Sequence, residues 1–387
     1  MKKKVLTVFP FLHHRQLVEG LCKALKANGL EADALYWDSV SMKFFSISGL
    51  KKSLSYLFFS ILFQIFRRVP GAWRLGIAGH YKNKCYYYLI QNYDVIILAG
   101  VYDEDRMALA KIAKKKGRKV IVSLWGGDLY FIQDYVNDWR NLLFSMSDII
   151  ICGGLTMKND FVKAFPQYAN KAEPLSYGLS QFDLLKDLSD SVIKGDLSFL
   201  DEGAKEKIVI TIGYSGRPWQ QHFYVLDAID RLPQSIKVKL FLLLPMTYDS
   251  EGHYLSYIKY RLDEIGISYQ ILRERLSLVQ NLSMRLVSDI SIVIQKADAM
   301  SASVQEHLMA GSVLIAGDWL PYDELTENGV YFQTTSFDKL YEKIQYVISN
   351  LDEEKVKCSK NTDIMYTLRS WDSVGPQFAK HIQNLFA

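Results

Sequence analysis

Short runs of β-branched and apolar residues recur along this chain, spaced so that one helix fits between each pair, and the pattern runs through twice. KVLTVF (4–9), DVIILAG (94–100), RKVIVSLW (118–125) and SDIIICG (147–153) form the first set, with helical periodicity over 15–28, 104–116 and 135–145. The second set is KIVITIG (207–213), VKLFLLLP (238–245), ISYQIL (267–272), DISIVIQ (289–295) and SVLIAG (312–317). Helices are predicted near 221–231, 251–265, 277–287, 303–310 and 336–350. Apolar strands alternating with helices imply a parallel sheet covered on both faces. The expected fold class is α/β, with two Rossmann-like domains facing a central cleft at the carboxyl ends of both sheets. Residues 181–205 are acidic, lack a strand pattern and read as a linker; the tail SWDSVGPQFAKHIQNLF has helical periodicity. No internal repeat of the length that marks solenoids is present.

Composition removes several function classes. A chain of 387 residues, 49% apolar and 23% charged, is long enough for two cores and too apolar for disorder. The four cysteines, Cys22, Cys85, Cys152 and Cys358, are scattered without a C-x-x-C pair, which excludes a zinc ribbon and suits a reducing compartment. The start, MKKKVLTVFP, reads as a buried strand rather than a signal peptide, so the chain is expected to begin near Met1 and to stay in the cytoplasm.

The net charge of +4 conceals an asymmetry. Residues 1–120 carry 21 Lys/Arg against 8 Asp/Glu, and the remainder carries 25 against 34. No carboxylate occurs between Asp38 and Asp94, a window that holds Lys43, Lys51, Lys52, Arg67, Arg68, Arg74, Lys82 and Lys84. Inside it, SLSYLFFSILFQIF (53–66) is bracketed by Lys51-Lys52 and Arg67-Arg68. Fourteen helical residues span about 21 Å, short of the ~30 Å hydrocarbon core. A helix lying in the interface, its basic flanks on anionic lipid, fits better than a spanning one; a buried core helix with charged ends is the plainer alternative. Residues 43–74 are thus expected to meet an anionic membrane surface, and the chain to sit peripherally on the inner face of the plasma membrane. No nucleic-acid partner is expected, because the basic residues accompany an apolar stripe and no recognised binding motif.

Four segments carry candidate chemistry. In ITIGYSGRPWQQH (210–222), a buried strand runs into Gly213, Ser215, Gly216 and Arg217 before a helix. Small residues let backbone N–H groups approach a phosphate, and a guanidinium offers a cationic fork for a diphosphate. Gln220, Gln221 and His222 are candidates for phosphate or sugar contacts. The segment is neither a P-loop nor G-x-G-x-x-G, which weighs against ATP and NAD; an ordinary glycine turn is the alternative. In QKADAMSASVQEHLMAGSVLIAGDWLPYDEL (295–325), Asp298 precedes Glu306 by eight residues, with Ser301 and Ser303 at a helix start and Glu324 beyond. A carboxylate there can accept two ribose hydroxyls and the serines can meet phosphate oxygens, although helix capping alone would explain the serines. LWGGDLY (124–130) places Asp128 at a strand's carboxyl edge, as a sugar-binding or basic carboxylate or as a turn aspartate. FPFLHHRQ (9–16) places His13 after the first strand, as a proton acceptor or as a helix-start histidine without a role. No H-E-x-x-H pattern or His-rich cluster demands a metal.

Together the segments resemble family 4 glycosyltransferases of the GT-B architecture. Residues 210–231 resemble that family's donor-diphosphate loop, and Asp298 to Glu306 followed by HLMAGSVLIAG resembles its E-x7-E segment, with Asp298 in place of the first Glu. Glu324 falls in the place of the family's "pEli" motif, and the lysine usual after the diphosphate-binding arginine is absent. WGGDLY, PLSYG (174–178), GYSGRPWQQH and LPMTY (244–248) are similar to segments of the 4-acetamido-4,6-dideoxygalactose transferases of enterobacterial common antigen.

The resemblance implies an N-terminal acceptor and membrane-facing domain over 1–185, a donor domain over 206–368, and a C-terminal helix over 369–387 returning to the first domain. It also implies a retaining, metal-independent hexosyltransferase of O-antigen or capsule biosynthesis, with a UDP, GDP or TDP sugar as donor, no cofactor, and a lipid-linked or saccharide acceptor. His13, Asp128, Arg217 and Asp298 would be catalytic. Gly213, Ser215, Gly216, Arg217, Gln221, His222, Ser301, Ser303, Glu306 and Glu324 would bind donor. A catalytically inactive binding subunit and a nucleotide-sugar epimerase of the same fold are the alternatives.

Overall fold

The computed structural model describes residues 2–10, 15–38, 43–48, 54–130, 139–190, 195–247, 252–298 and 300–387. The chain divides into two units, Met1–Ser180 with Trp371–Ala387, and Gln181–Ser370.

The first unit holds seven strands: β1 (Lys4–Phe9), β2 (Glu31–Asp38), β3 (Lys43–Ser48), β4 (Val95–Ala99), β5 (Lys119–Ser123), β6 (Ile149–Cys152) and β7 (Ala172–Pro174). Their order is β3-β2-β1-β4-β5-β6-β7, parallel throughout except for the antiparallel β2/β3 pair. β1 pairs with β2 on one side and β4 on the other, so the strand order reverses between β1 and β4. Three helices matter below: α1 (Arg15–Ala27), α2 (Leu54–Phe66) and α3 (Ile77–Leu89).

The second unit holds six parallel strands: β8 (Ile208–Ile212), β9 (Leu240–Pro245), β10 (Ser268–Leu272), β11 (Ile290–Val293), β12 (Val313–Gly317) and β13 (Gln333–Thr335). Their order, β10-β9-β8-β11-β12-β13, again reverses beside the first strand, between β8 and β11. Alternation along β8 explains its apolar run: Ile210 and Ile212 enter one core with Val225, Leu226, Leu242 and Ile292, while Val209 enters the other with Phe241, Leu243 and Met284. A strand buried on both faces has no polar side to display.

β2, β3, β7 and β13 were not foreseen. β2 reads EADALYWD, and its two early acids mask the strand pattern; β7 and β13 are three-residue edges, too short to carry a period. Residues 181–205, expected to be linker, begin with the helix Gln181–Asp190, whose Asp183 accepts a hydrogen bond from Tyr366 at 2.8 Å.

The last helix, Trp371–Asn384, belongs to the first unit. Val374, Phe378 and Ile382, spaced by four, share a core with Val18, Leu21 and Leu25 of α1. Trp371 seats its indole against two glycines and donates to Ser180 Oγ at 3.1 Å. A Cβ on Gly178 would lie 2.6 Å from the indole ring, and one on Gly20 would lie 2.1 Å from its nitrogen.

Gly178→Ala should therefore lower unfolding stability by about 1–3 kcal/mol, the usual cost of overpacking. Gly79→Ala in α3, where an added methyl meets open space, should raise it by about 0.5–1 kcal/mol. Urea unfolding of both variants checks the pair, and equal behaviour would show that the indole does not fill that gap.

Candidate functional site

The loops at the carboxyl ends of β8, β11 and β12 form one polar cluster within the second unit. In an open parallel sheet this edge, beside the point where strand order reverses, is where ligands bind. Gly213 ends β8 in the left-handed region (φ 62°), and its N–H extends the ladder by donating to the Ile292 carbonyl at 3.0 Å. A Cβ there would come within 2.7 Å of Gln220 Oε1 and 3.3 Å of His222 Nε2. Conformation and space both demand glycine. Gln220 folds back beneath the turn: its Oε1 accepts the Tyr214 N–H at 3.1 Å and its Nε2 donates to Gln295 Oε1 at 2.6 Å. The next loop is tied in by Lys296 N–H to the Trp219 carbonyl, and the β12 loop by Trp319 Nε1 to the Gln295 carbonyl.

Ser215 and Gly216 are buried in the turn, whereas Arg217 is exposed, its guanidinium 5.3 Å from the Trp219 ring centroid. Gln221 adopts the left-handed conformation (φ 63°) just before the helix His222–Asp230. His222 is fully buried. Its Nδ1 lies 2.9 Å from the Tyr254 hydroxyl, and its Nε2 has no hydrogen-bond partner among the described residues. Burial pushes the imidazole down to about 4, so it is neutral at physiological pH.

Asp298, the candidate in the place of the family's first Glu, is half-buried. Its Oδ2 accepts the Ser301 N–H at 2.9 Å and the Tyr322 hydroxyl, tying the β11 and β12 loops together. Met300 is left-handed (φ 61°), and the chain then enters the helix Ala302–Met309 at Ser301. Capping was the plain explanation for the serines, yet Ser301 makes no side-chain cap bond. The Ser301 and Ser303 hydroxyls, Gln295 Nε2 and Gln305 Oε1 are buried without hydrogen-bond partners among the described residues. Leaving such groups unmade costs about 1–3 kcal/mol each, and their concentration on adjoining loop ends marks a place for a polar ligand.

Glu306 differs most from expectation. It lies buried inside the unit, its Oε2 accepting Arg285 Nε at 3.1 Å and its Oε1 accepting Gln181 Nε2 at 2.8 Å. Arg285 also lies 3.2 Å from His307 Nε2, and the Ser312 hydroxyl donates to the Arg285 carbonyl at 3.1 Å. Burial and the neighbouring guanidinium hold the His307 imidazole well below its ordinary value. The carboxylate is thus held by a buried ion pair and one amide. Glu324 accepts from Arg369 at 3.0 Å, anchoring the end of the helix Asn361–Arg369.

In the first unit Asp128 is buried, with its Oδ2 accepting the Val101 N–H at 2.9 Å and its Oδ1 accepting the Trp125 N–H at 2.8 Å. Burial raises its carboxyl above the usual range, against the pull of those donors. It clamps the loops after β4 and β5 and does not face solvent as a sugar-binding base would. His13 lies outside the described residues. Among the described residues no three His, Cys, Asp or Glu side chains cluster as a metal cage would require. Sequence reasoning missed Gln295, Tyr254, Tyr322, Arg285 and Gln181. Gln295 alone left a signal, a polar amide closing an apolar strand.

The His222 geometry makes stability pH-dependent. Its folded value of about 4 lies below the unfolded 6.5, so the unfolded chain binds the proton first. Stability is full above pH ~6.5 and falls as pH drops toward 4, by about 3 kcal/mol from this residue. His307 acts in the same direction. Denaturant titrations at several pH values should show His222→Gln with a shallower slope in that window, and an unchanged slope would remove His222 as the source.

No protein-family model matches the chain, and no curated protein matches it. Solved structures do. A glycosyltransferase from Rickettsia africae ESF-5 superposes with TM-score 0.71 at 13% identity, covering 100% of this chain and 99% of that one. Anabaena HepE, solved in complex with UDP-glucose, gives 0.68 at 14% identity over 98% and 99%. The sucrose-phosphate synthase of Thermosynechococcus elongatus gives 0.65 at 12% over 100% and 99%. The chain accordingly has the GT-B glycosyltransferase fold, two α/β units with the last helix returned to the first.

Proposed function

We propose that this chain is a glycosyltransferase that moves a hexose-type sugar from a nucleotide-sugar donor to a lipid-linked or saccharide acceptor in bacterial surface polysaccharide biosynthesis. The observation that carries the reading is the edge of the second sheet. There the glycine turn after β8 and unpartnered hydroxyls at the start of the helix Ala302–Met309 flank the strand-order reversal. A helix N-terminus with free hydroxyls suits phosphate oxygens, and exposed Arg217 suits the outer face of a diphosphate. Similar folds have been solved with UDP and UDP-glucose, which supports a nucleotide-sugar donor.

In this reading the leaving diphosphate is stabilised by Arg217, the backbone of 213–217 and the Ser301 and Ser303 hydroxyls, as preorganised electrostatics. Neutral His222, its Nε2 beside Gly213, donates to or accepts from the sugar or phosphate according to tautomer. The ribose takes the place of the Gln181 amide on Glu306, leaving Arg285 to hold the carboxylate. Asp298 and Glu324 shape the donor loops through Tyr322 and Arg369, while Asp128 positions the acceptor side of the first unit. The family 4 resemblance supports a retaining, metal-independent reaction, and the common-antigen resemblance a lipid-linked acceptor of surface polysaccharide (O-antigen or capsule) synthesis at the cytoplasmic face of the membrane. One observation favours a second reading, a nucleotide-binding subunit without transfer. Asp298, in the place of the acid that reaches the donor sugar, has its Oδ2 engaged by the Ser301 N–H and the Tyr322 hydroxyl.

Arg217→Ala should reduce transfer at least ~100-fold while changing stability by less than about 0.5 kcal/mol, since the side chain is exposed. A rate within a few-fold of wild type sinks the assignment. A thermal-shift screen of UDP, GDP, TDP and CMP should single out one base; at a hundredfold excess over Kd the gain is about 2.7 kcal/mol. Stabilisation by a nucleotide with no transfer or hydrolysis across a donor panel would select the binding subunit.

A further inference from the structure

Helix α2 departs from the rule that apolar residues are covered. Its sequence is LSYLFFSILFQIF, yet only Tyr56 and Phe63 are buried. Leu54 is 85% exposed, Phe58 58%, Ile61 60% and Ile65 53%. At about 100° per residue these four fall within an arc of roughly 60°, and Phe63 lies on the opposite side. That opposite side is taken up by the rest of the unit: Phe66 stacks on Tyr81 at 4.9 Å, Phe59 stacks on Tyr88 at 5.2 Å and Phe63 meets the edge of Trp73 at 6.2 Å. The uncovered apolar surface continues over the following turn through Val69, Trp73 and Leu75. Arg68 and Arg74 are exposed on the same turn, and residues 39–93 contain no carboxylate, although Lys82 of that window is paired by Asp105 from beyond it.

We propose that this stripe docks in the plane of an anionic lipid bilayer, with Leu54, Phe58, Ile61 and Ile65 below the headgroups and Arg68 and Arg74 on lipid phosphates. Length fixes the orientation, because thirteen residues of helix reach about 20 Å and cannot span the hydrocarbon core. No described helix is long and apolar enough to cross a membrane. Charge selects the occupant. A contact between two copies through this face would bring arginines of both together with no acid of the stripe to pair them, whereas an anionic surface pairs all of them. Trp73 on the rim suits the headgroup level.

The inference stands apart from sugar transfer, because its test uses neither donor nor acceptor. Full-length protein is sedimented with vesicles of phosphatidylcholine alone and of phosphatidylcholine mixed equally with phosphatidylglycerol. Wild type should bind the mixed vesicles, weakening with salt. Phe58→Ser combined with Ile61→Ser should weaken binding at least ~tenfold, and Arg68→Ala and Arg74→Ala about fivefold each. Leu75→Ser is a milder variant should the double one misfold, with circular dichroism as control. Equal binding to both vesicle types, or a double variant that binds as wild type does, overturns the proposal. So does a concentration-dependent dimer that the double variant abolishes while vesicle binding is absent.

Discussion

A parallel strand covered on both faces meets solvent only at its ends. β8 shows the constraint directly, with Ile210 and Ile212 in one core and Val209 in the other. A ligand meets this sheet where strands stop, and there the backbone still needs partners. Gly213 continues the ladder by one bond and then reverses direction, and the Gln220 amide satisfies the turn that follows. The polar loops after β8, β11 and β12 are thus held by hydrogen bonds whose geometry the sheet itself sets.

Rigidity beneath these loops comes from a buried ionic cluster. Arg285, Glu306, His307 and Ser312 meet where the helix Leu278–Val287 packs against the helix Ala302–Met309. A buried ion pair adds little net stability, because desolvation offsets most of the attraction, but mispairing it is costly. The cluster therefore fixes the register of the helix Ala302–Met309, and with it the position of the Ser301 and Ser303 hydroxyls at the opposite end. Asp128 does comparable work in the first unit, where two backbone donors converge on one buried carboxylate.

The buried strands were legible because continuous apolar, β-branched runs admit few other readings, and the turn at Gly213 because glycine after such a run must reverse the chain. Short edge strands left no period. The roles of acids were the weakest reading. Spacing placed Glu306 on the right helix, but its partners, Arg285 and Gln181, are 21 and 125 residues away. A local pattern cannot tell a carboxylate facing ligand from one facing arginine. The partner of Asp298 was hidden in the same way, since the Tyr322 hydroxyl arrives from the next strand's loop. The apolar segment at 53–66 was read as a whole, whereas packing divides it into a covered and an uncovered side.

The last helix also sets an order of events during synthesis. Gln181–Ser370 is one continuous stretch, whereas the first unit is completed only by Val374, Phe378 and Ile382, which are synthesised after it. Until then the apolar side of α1 and the niche between Gly20 and Gly178 stand uncovered. The part made first is finished last, and a chain lacking the helix Trp371–Asn384 would keep the whole stretch Gln181–Ser370 but leave the first unit open, a natural target for chaperones and proteases.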